Sequence, residues 1–285
     1  MATTNFIDFS VQPPTHEFQA ELARDEMAGY RGAYASSPDG YGSVEALVDD
    51  LERVGGVAVI KAIDATTTAN LRISNEHVAE LCHASRGRLI GFAGVDPHTG
   101  QQAVTELRRA VSQDGLRGFN LQLYHHGVRA DDELCRPLYD ACVDLGIPVN
   151  LHIGMSFSSA PMRFGDPLAV DAVACERPEL RIVCAPPGFP WVRELIAVAW
   201  RHPNVYIGLS GLRPKYLARE DSGWTELLRY GSTVIREKVI FGTAHPLLPI
   251  ARSVQEIRGL GLADDVADLW LRANAERVLE GVDVA

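Results

Sequence analysis

The chain of 285 residues predicts an α/β fold of the (β/α)8-barrel class. Three observations carry that expectation. Eight short apolar, β-branched runs recur at fairly even spacing, near 4–9, 57–62, 89–95, 117–123, 148–152, 180–185, 203–209 and 238–243. They lack polar alternation, which is the pattern of parallel strands buried on both faces. Amphipathic segments with helix start and stop signals lie between them. A doubly wound open sheet is the competing fold. It wants a glycine-rich phosphate turn after the first strand, and Ser10-Val11-Gln12-Pro13-Pro14 is nothing like one.

The elements follow in order. The first strand ends near Asp8, and residues 12–42 form a long insertion at the barrel mouth. Its mix of Pro, Gly, Tyr and acidic residues suits a lid, with a passive surface loop as the alternative. Ser43 precedes a helix at 44–54, with Glu45 and Asp49-Asp50 early on its course. Ser74 and Asn75 open a helix at 76–86. A helix at 131–145 begins with Asp131-Asp132-Glu133 and stops at Gly146, with Pro148 beyond. A helix at 190–202 starts at a proline and ends before Pro203. The tail 263–280 reads as two closing helices. No linker-like change of composition divides the chain, so one domain over 1–285 is expected.

Bulk properties exclude some functions. Hydrophobic residues make up 46% and charged residues 22%, which allows a large buried core. A net charge of −10 argues against a nucleic-acid partner, because phosphate binding needs clustered Lys and Arg. No apolar run is long enough for a membrane span, and the N-terminus lacks a signal-peptide layout. Cys82, Cys135, Cys142, Cys175 and Cys184 form no CxxC pair. Five thiols, an odd number, suggest reduced cysteines in a cytoplasmic protein. Cys135 and Cys142 are expected to share a buried helix face.

Several phrases, in order and at barrel spacing, resemble one family. They are Leu145-Gly146-Ile147-Pro148-Val149-Asn150-Leu151-His152-Ile153-Gly154, His202-Pro203-Asn204-Val205-Tyr206-Ile207-Gly208-Leu209-Ser210-Gly211, Gly242-Thr243-Ala244-His245-Pro246-Leu247-Leu248-Pro249 and Asn274-Ala275-Glu276-Arg277-Val278-Leu279. Nearly the whole chain resembles the amidohydrolase-related TIM-barrel proteins of the aromatic-decarboxylase and lactonase branch. That resemblance implies a metal-bearing site at the C-terminal mouth, a small cyclic or aromatic acid or lactone as substrate, and dimer formation.

The metal ligands that the resemblance implies do not carry over. Members usually have Asp-x-His-x-His on the first strand; here Asp8 remains, and Ser10 and Gln12 replace the histidines. The sixth-strand histidine position is Pro186, and the eighth-strand aspartate position is Ala244. His152 alone survives, on the fifth strand, and Asn120-Leu121-Gln122-Leu123 lacks the fourth-strand Lys or His of some members. A transition metal there wants three or four donors at about 2.0–2.3 Å. One imidazole with neutral oxygens cannot hold zinc tightly. The expectation is therefore no metal and no cofactor. A relocated site among His125, His126, His152 and His245 is the alternative, opposed by the divergent directions of neighbouring histidines. His16, His77, His83, His98 and His202 are expected at the surface.

Metal-free chemistry would rest on acid–base and electrostatic catalysis. The catalytic candidates are His152 as proton-transfer group, His245 as a second one, and Asp8, either orienting a histidine or bonding within the barrel wall. Ser10, Gln12, Tyr124, His125, His126 and Arg213 are candidate substrate contacts, Arg213 because guanidinium pairs with a carboxylate. Ser156 and Ser158 lack a nucleophile-elbow setting. Cys184 reads as a buried small side chain.

Two function classes stay open. One is a metal-independent enzyme acting on a small organic acid, lactone or polyketide-like intermediate by decarboxylation, hydrolysis or cyclisation. The other is a non-catalytic subunit, paired with an active paralogue, with homodimer formation also open; a small-acid sensor fits less economically. An enzyme requires an open pocket around His152, and a scaffold expects that pocket filled.

Overall fold

The computed structural model describes residues 4–24, 28, 29, 32 and 42–281. Its strands are β1 (Phe6–Asp8), β2 (Gly56–Lys61), β3 (Ile63–Ala65), β4 (Leu71–Ile73), β5 (Leu89–Phe92), β6 (Phe119–Leu121), β7 (Val149–Leu151), β8 (Ile182–Cys184), β9 (Val205–Gly208) and β10 (Val239–Ile240). The eight expected runs are β1, β2 and β5 to β10. All their pairings are parallel, in the orders β1-β2-β5 and β10-β9-β8-β7-β6. The two arcs join into a barrel. A parallel bridge links Ala93 to Phe119 after β5, and Val11 pairs with His245 beyond β1 and β10. The Phe9 amide also donates to the Phe241 carbonyl at 3.0 Å. β3 and β4 form an antiparallel hairpin after β2 that the sequence pattern did not announce.

Alternation along the strands sorts the side chains. Ile7, Val57, Val59, Phe92, Val183, Tyr206 and Ile240 pack together in the lower barrel, closed from below by Ala275, Val278 and Leu279. A larger apolar cluster lies between strands and helices. Lys61 follows Val59 on the inward face of β2, one step nearer the mouth. The apolar floor therefore supports the polar layer above it.

The helix Val44–Val54 matches its expected span, with the Ser43 hydroxyl accepting from the Ala46 amide at 3.2 Å. Ser74 caps Asn75–Ala84 in the same way, through the His77 amide. The helix expected at 131–145 begins later, at Arg136. Asp131 is held by Arg129 at 2.9 Å, and Asp132 accepts from the Leu134 amide, so these carboxylates stabilise a turn before the helix. Val192–Arg201 lies within its expected segment. The tail is one helical run in three pieces, Asp264–Asp268, a π turn Leu269–Ala273, and Asn274–Leu279. The π turn has a visible use: the Trp270 carbonyl accepts from the Phe241 amide at 2.8 Å. Asn274 then donates to the carbonyls of Arg236 and Val239, clamping the entry of β10.

Cys135, Cys142 and Cys184 are buried and all five thiols are unbridged. No helix among the described residues is long and apolar enough to cross a membrane. Part of the 12–42 insertion is the helix His16–Ala23; residues 25–27, 30, 31 and 33–41 lie outside the described ones.

Asp8 locks the first strand to the last. It is fully buried. One carboxylate oxygen accepts from the amides of Thr243 (2.9 Å) and Ser10 (3.1 Å), and the other from the Thr243 hydroxyl (2.6 Å). Of its two expected roles, the structure supplies the wall bond. Burial raises its pKa from 3.8 to about 6, against the hydrogen bonds from Thr243 and Ser10. A raised carboxylate means that the folded state holds the proton more tightly. The stabilisation from this group is full below about pH 4 and is lost as pH rises through about 6. We expect Asp8→Ala to cost about 2–3 kcal/mol in urea unfolding, and Asp8→Asn to cost less. Asp8→Asn should also flatten the decline in stability between these pH values; an unchanged decline would assign it to other groups.

Candidate active site

A pocket of about 140 Å³ opens at the C-terminal end of the barrel. Ser10, Gln12, His152, Pro186 and Ala244 all line it. These are five of the six positions compared above with the family's ligand pattern; the sixth, Asp8, is buried in the wall. Their convergence places the resemblance in register, since a slip of one residue would turn side chains away from the pocket. The pocket also contains groups that sequence reasoning missed: Lys61, Asn120, Asn150, Gln122 and Glu21.

One backbone carbonyl orients the polar layer. The Ala62 oxygen only accepts, so it fixes the Asn120 Nδ2 facing it at 3.0 Å. Asn120 Oδ1 then accepts from Asn150 Nδ2 at 3.0 Å and from Gln122 Nε2 at 3.3 Å. This leaves Asn150 Oδ1 for Lys61 Nζ at 3.4 Å, and Gln122 Oε1 for His152 Nδ1 at 3.2 Å. Both His152 ring nitrogens thus face an oxygen that can only accept, the nearer being Gln122 Oε1 at Nδ1. Nε2 lies 3.4 Å from the Met155 carbonyl, the longer of the two contacts. Gly94 protects the origin of the chain, because a Cβ there would collide with the Ala62 carbonyl oxygen.

Burial shapes the charges. It pushes His152 down to about 4, so the imidazole is neutral at pH 7. It pushes Lys61 down to about 7, with the Asp8 charge pulling the other way. A cation on the point of losing its proton thus shares the pocket with a neutral imidazole.

The other candidates divide. Tyr124 lines the pocket and meets the His152 ring edge-on at 5.2 Å. Its hydroxyl donates to the Gly154 carbonyl at 2.5 Å, which holds the following loop. His125 lines the pocket, whereas neighbouring His126 is buried away from it, 4.0 Å from Asp96. Burial lowers His126 to about 4, which suits a neutral packed ring rather than a ligand contact. His245 is corrected as well. Its side chain is buried outside the pocket lining; its amide binds the Thr243 hydroxyl and its carbonyl accepts from Gln12. Arg213 is taken up by Glu256 at 2.7 Å, with no part in the lining. His202, expected at the surface, is buried and bonds Asp171 at 2.7 Å. From the insertion, Phe18 and Glu21 enter the wall, and Glu21 accepts from Gln12 Nε2 at 3.1 Å.

The donor set does not fit a transition metal. Pro186 has no side-chain donor, Ala244 has none, and Ser10 and Gln12 offer neutral atoms; Glu21, His125 and His152 also line the pocket, but their ligand atoms do not gather within reach of one ion. Ala244 nonetheless has φ 56°, a left-handed conformation that costs alanine about 1 kcal/mol and that Asp adopts more readily. Among the described residues the one His/Cys/Asp/Glu group within metal reach is Asp171 and Cys175, on the helix Leu168–Glu176, with His202, just past the helix Val192–Arg201.

The chain matches the Amidohydrolase family over residues 7–281 and belongs to it. An uncharacterised TIM-barrel protein of Bordetella bronchiseptica is 24% identical, covers 97% of this chain and 99% of its own, and superposes with a TM-score of 0.83. A 5-carboxyvanillate decarboxylase of Novosphingobium aromaticivorans, solved with manganese and a nitrobenzoic acid, is 17% identical with a TM-score of 0.66, covering 97% and 96%. A 2-amino-3-carboxymuconate-6-semialdehyde decarboxylase of Dictyostelium discoideum is 28% identical over 78 residues, 27% of this chain and 22% of that protein.

Elemental analysis of protein purified without added metal should find zinc and manganese far below one per chain; stoichiometric metal would overturn the fit argument. Arg213→Ala should leave ligand binding unchanged and cost no more than about 1 kcal/mol, as read by calorimetry and thermal melts.

Proposed function

We propose that the protein is a metal-independent enzyme of small cyclic or aromatic carboxylic acids, with decarboxylation as its reaction. The observation that carries this reading is the hydrogen-bonded line from Lys61 to His152 across an open pocket in which Pro186 and Ala244 offer no side-chain donor. Related decarboxylases on the same fold support the substrate class. The pocket volume does too: a cavity of about 150 Å³ holds a benzene-sized ring.

The physical steps follow from these residues. The carboxylate leaves water between the apolar groups Val11, Phe18 and Leu247. The C–C bond to the carboxyl carbon breaks and CO2 departs, leaving its electron pair on the substrate. Lys61 holds positive charge against that pair, which is the electrostatic task left by the missing metal donors. The carbon left behind takes a proton drawn from water, and the His152 imidazole is placed to relay it. A non-catalytic subunit would have its pocket filled by side chains, so the open pocket favours the enzyme.

The test is CO2 release from a panel of single-ring hydroxy- and oxo-carboxylic acids in EDTA. Turnover should persist, and His152→Ala should lower kcat about 10²- to 10⁴-fold. Loss of turnover on chelation would refute metal independence, and full activity in His152→Ala would remove that residue from proton transfer.

A further inference from the structure

We propose that Lys61 acts as a nucleophile, forming an imine with a small acid whose ketone or aldehyde carbon is β to its carboxylate. The inference rests on the decarboxylase reading and specifies how positive charge reaches the substrate.

The choice of lysine is the first support. Twenty-four of the 27 basic residues are arginine, and the lysines are Lys61, Lys215 and Lys238 alone. Arginine is this chain's ordinary cation, as in the pairs of Arg109 with Glu106 and Arg213 with Glu256. A fixed charge in the pocket would be met equally by arginine. Lysine differs in that it can lose its proton and expose a lone pair.

Placement is the second support. Lys61 ends β2, on a barrel strand rather than a loop, which holds its stem rigidly. Lys61 lines the pocket, and Asn150 Oδ1, 3.4 Å from its Nζ, is the one hydrogen-bond partner recorded for it among the described residues. Asp8, the carboxylate acting on it electrostatically, is engaged by Thr243 and Ser10. The other two lysines are occupied differently. Lys238 donates to the Pro203 carbonyl, and Lys215 lies over the Tyr216 ring. Burial, which brings Lys61 to about 7, adds a neutral-amine fraction at ordinary pH.

The step balances with water as co-reactant. The Nζ lone pair adds to the carbonyl carbon, and the C=O pair moves to oxygen, which takes a proton. Loss of water leaves a protonated imine. The bond to the carboxylate then breaks, CO2 leaves, and the bonding pair flows into the iminium to give an enamine. A proton adds at carbon, and water cleaves the imine to return the ketone and the ammonium. His152, at the other end of the amide line, is placed to carry the protons.

The test uses the whole protein with acetoacetate or 2-oxocyclohexanecarboxylate and sodium borohydride, followed by peptide mass spectrometry. The expected result is a borohydride-dependent adduct on Lys61, about tenfold or more above Lys215 and Lys238, and absent from Lys61→Arg. Equal labelling of all three lysines in the wild-type protein overturns the proposal without relying on any variant. CO2 release that persists in Lys61→Arg overturns it as well, while leaving the metal-independent decarboxylase reading in place.

Discussion

The bond between the Ala62 carbonyl and the Asn120 amide decides how the pocket is wired. A carbonyl oxygen cannot donate, so one orientation of Asn120 follows, and from it those of Asn150 and Gln122. Lys61 and His152 then each face an acceptor oxygen. Buried amides left half-satisfied would be costly, so the whole line stands or falls together. The bare Cα of Gly94 leaves room for the carbonyl on which it begins.

That wiring needs a closed barrel beneath it. Asp8 joins the first strand to the segment after the last, through both the amide and the hydroxyl of Thr243. The π turn at Leu269–Ala273 and the Asn274 clamp hold β10 from outside. Closure therefore depends on contacts between residues more than 200 positions apart, and the same Asp8 charge reaches Lys61.

The positions that the family resemblance marks for metal ligands are occupied differently here. Ser10, Gln12, Pro186 and Ala244 line the pocket with little donor power, yet the backbone at Ala244 keeps a left-handed turn. Into this space come an amine and a neutral imidazole at opposite ends of a chain of amides. For the decarboxylation proposed above, positive charge near the departing CO2 would be required, whichever group supplies it.

The sequence alone determined the barrel. Eight doubly buried runs, with capped helices between them, admit few other arrangements, and Ser43, Ser74 and Gly146 mark boundaries by local hydrogen bonding and backbone geometry. It also pointed His152 to the mouth, where the pocket holds it, and showed that Pro186 and Ala244 bring no side-chain donor. Lys61, Asn120 and Asn150 were visible only as polar residues within apolar strands, a signal that alternation around the barrel would have turned inward. His126, His245 and Arg213 had the right residue types beside the right strands, and packing turned them elsewhere: into the wall, behind the pocket, and onto Glu256. Tertiary structure decided these because a side chain's direction after a strand end depends on hydrogen-bond partners distant in sequence. Local pattern carries no record of those partners.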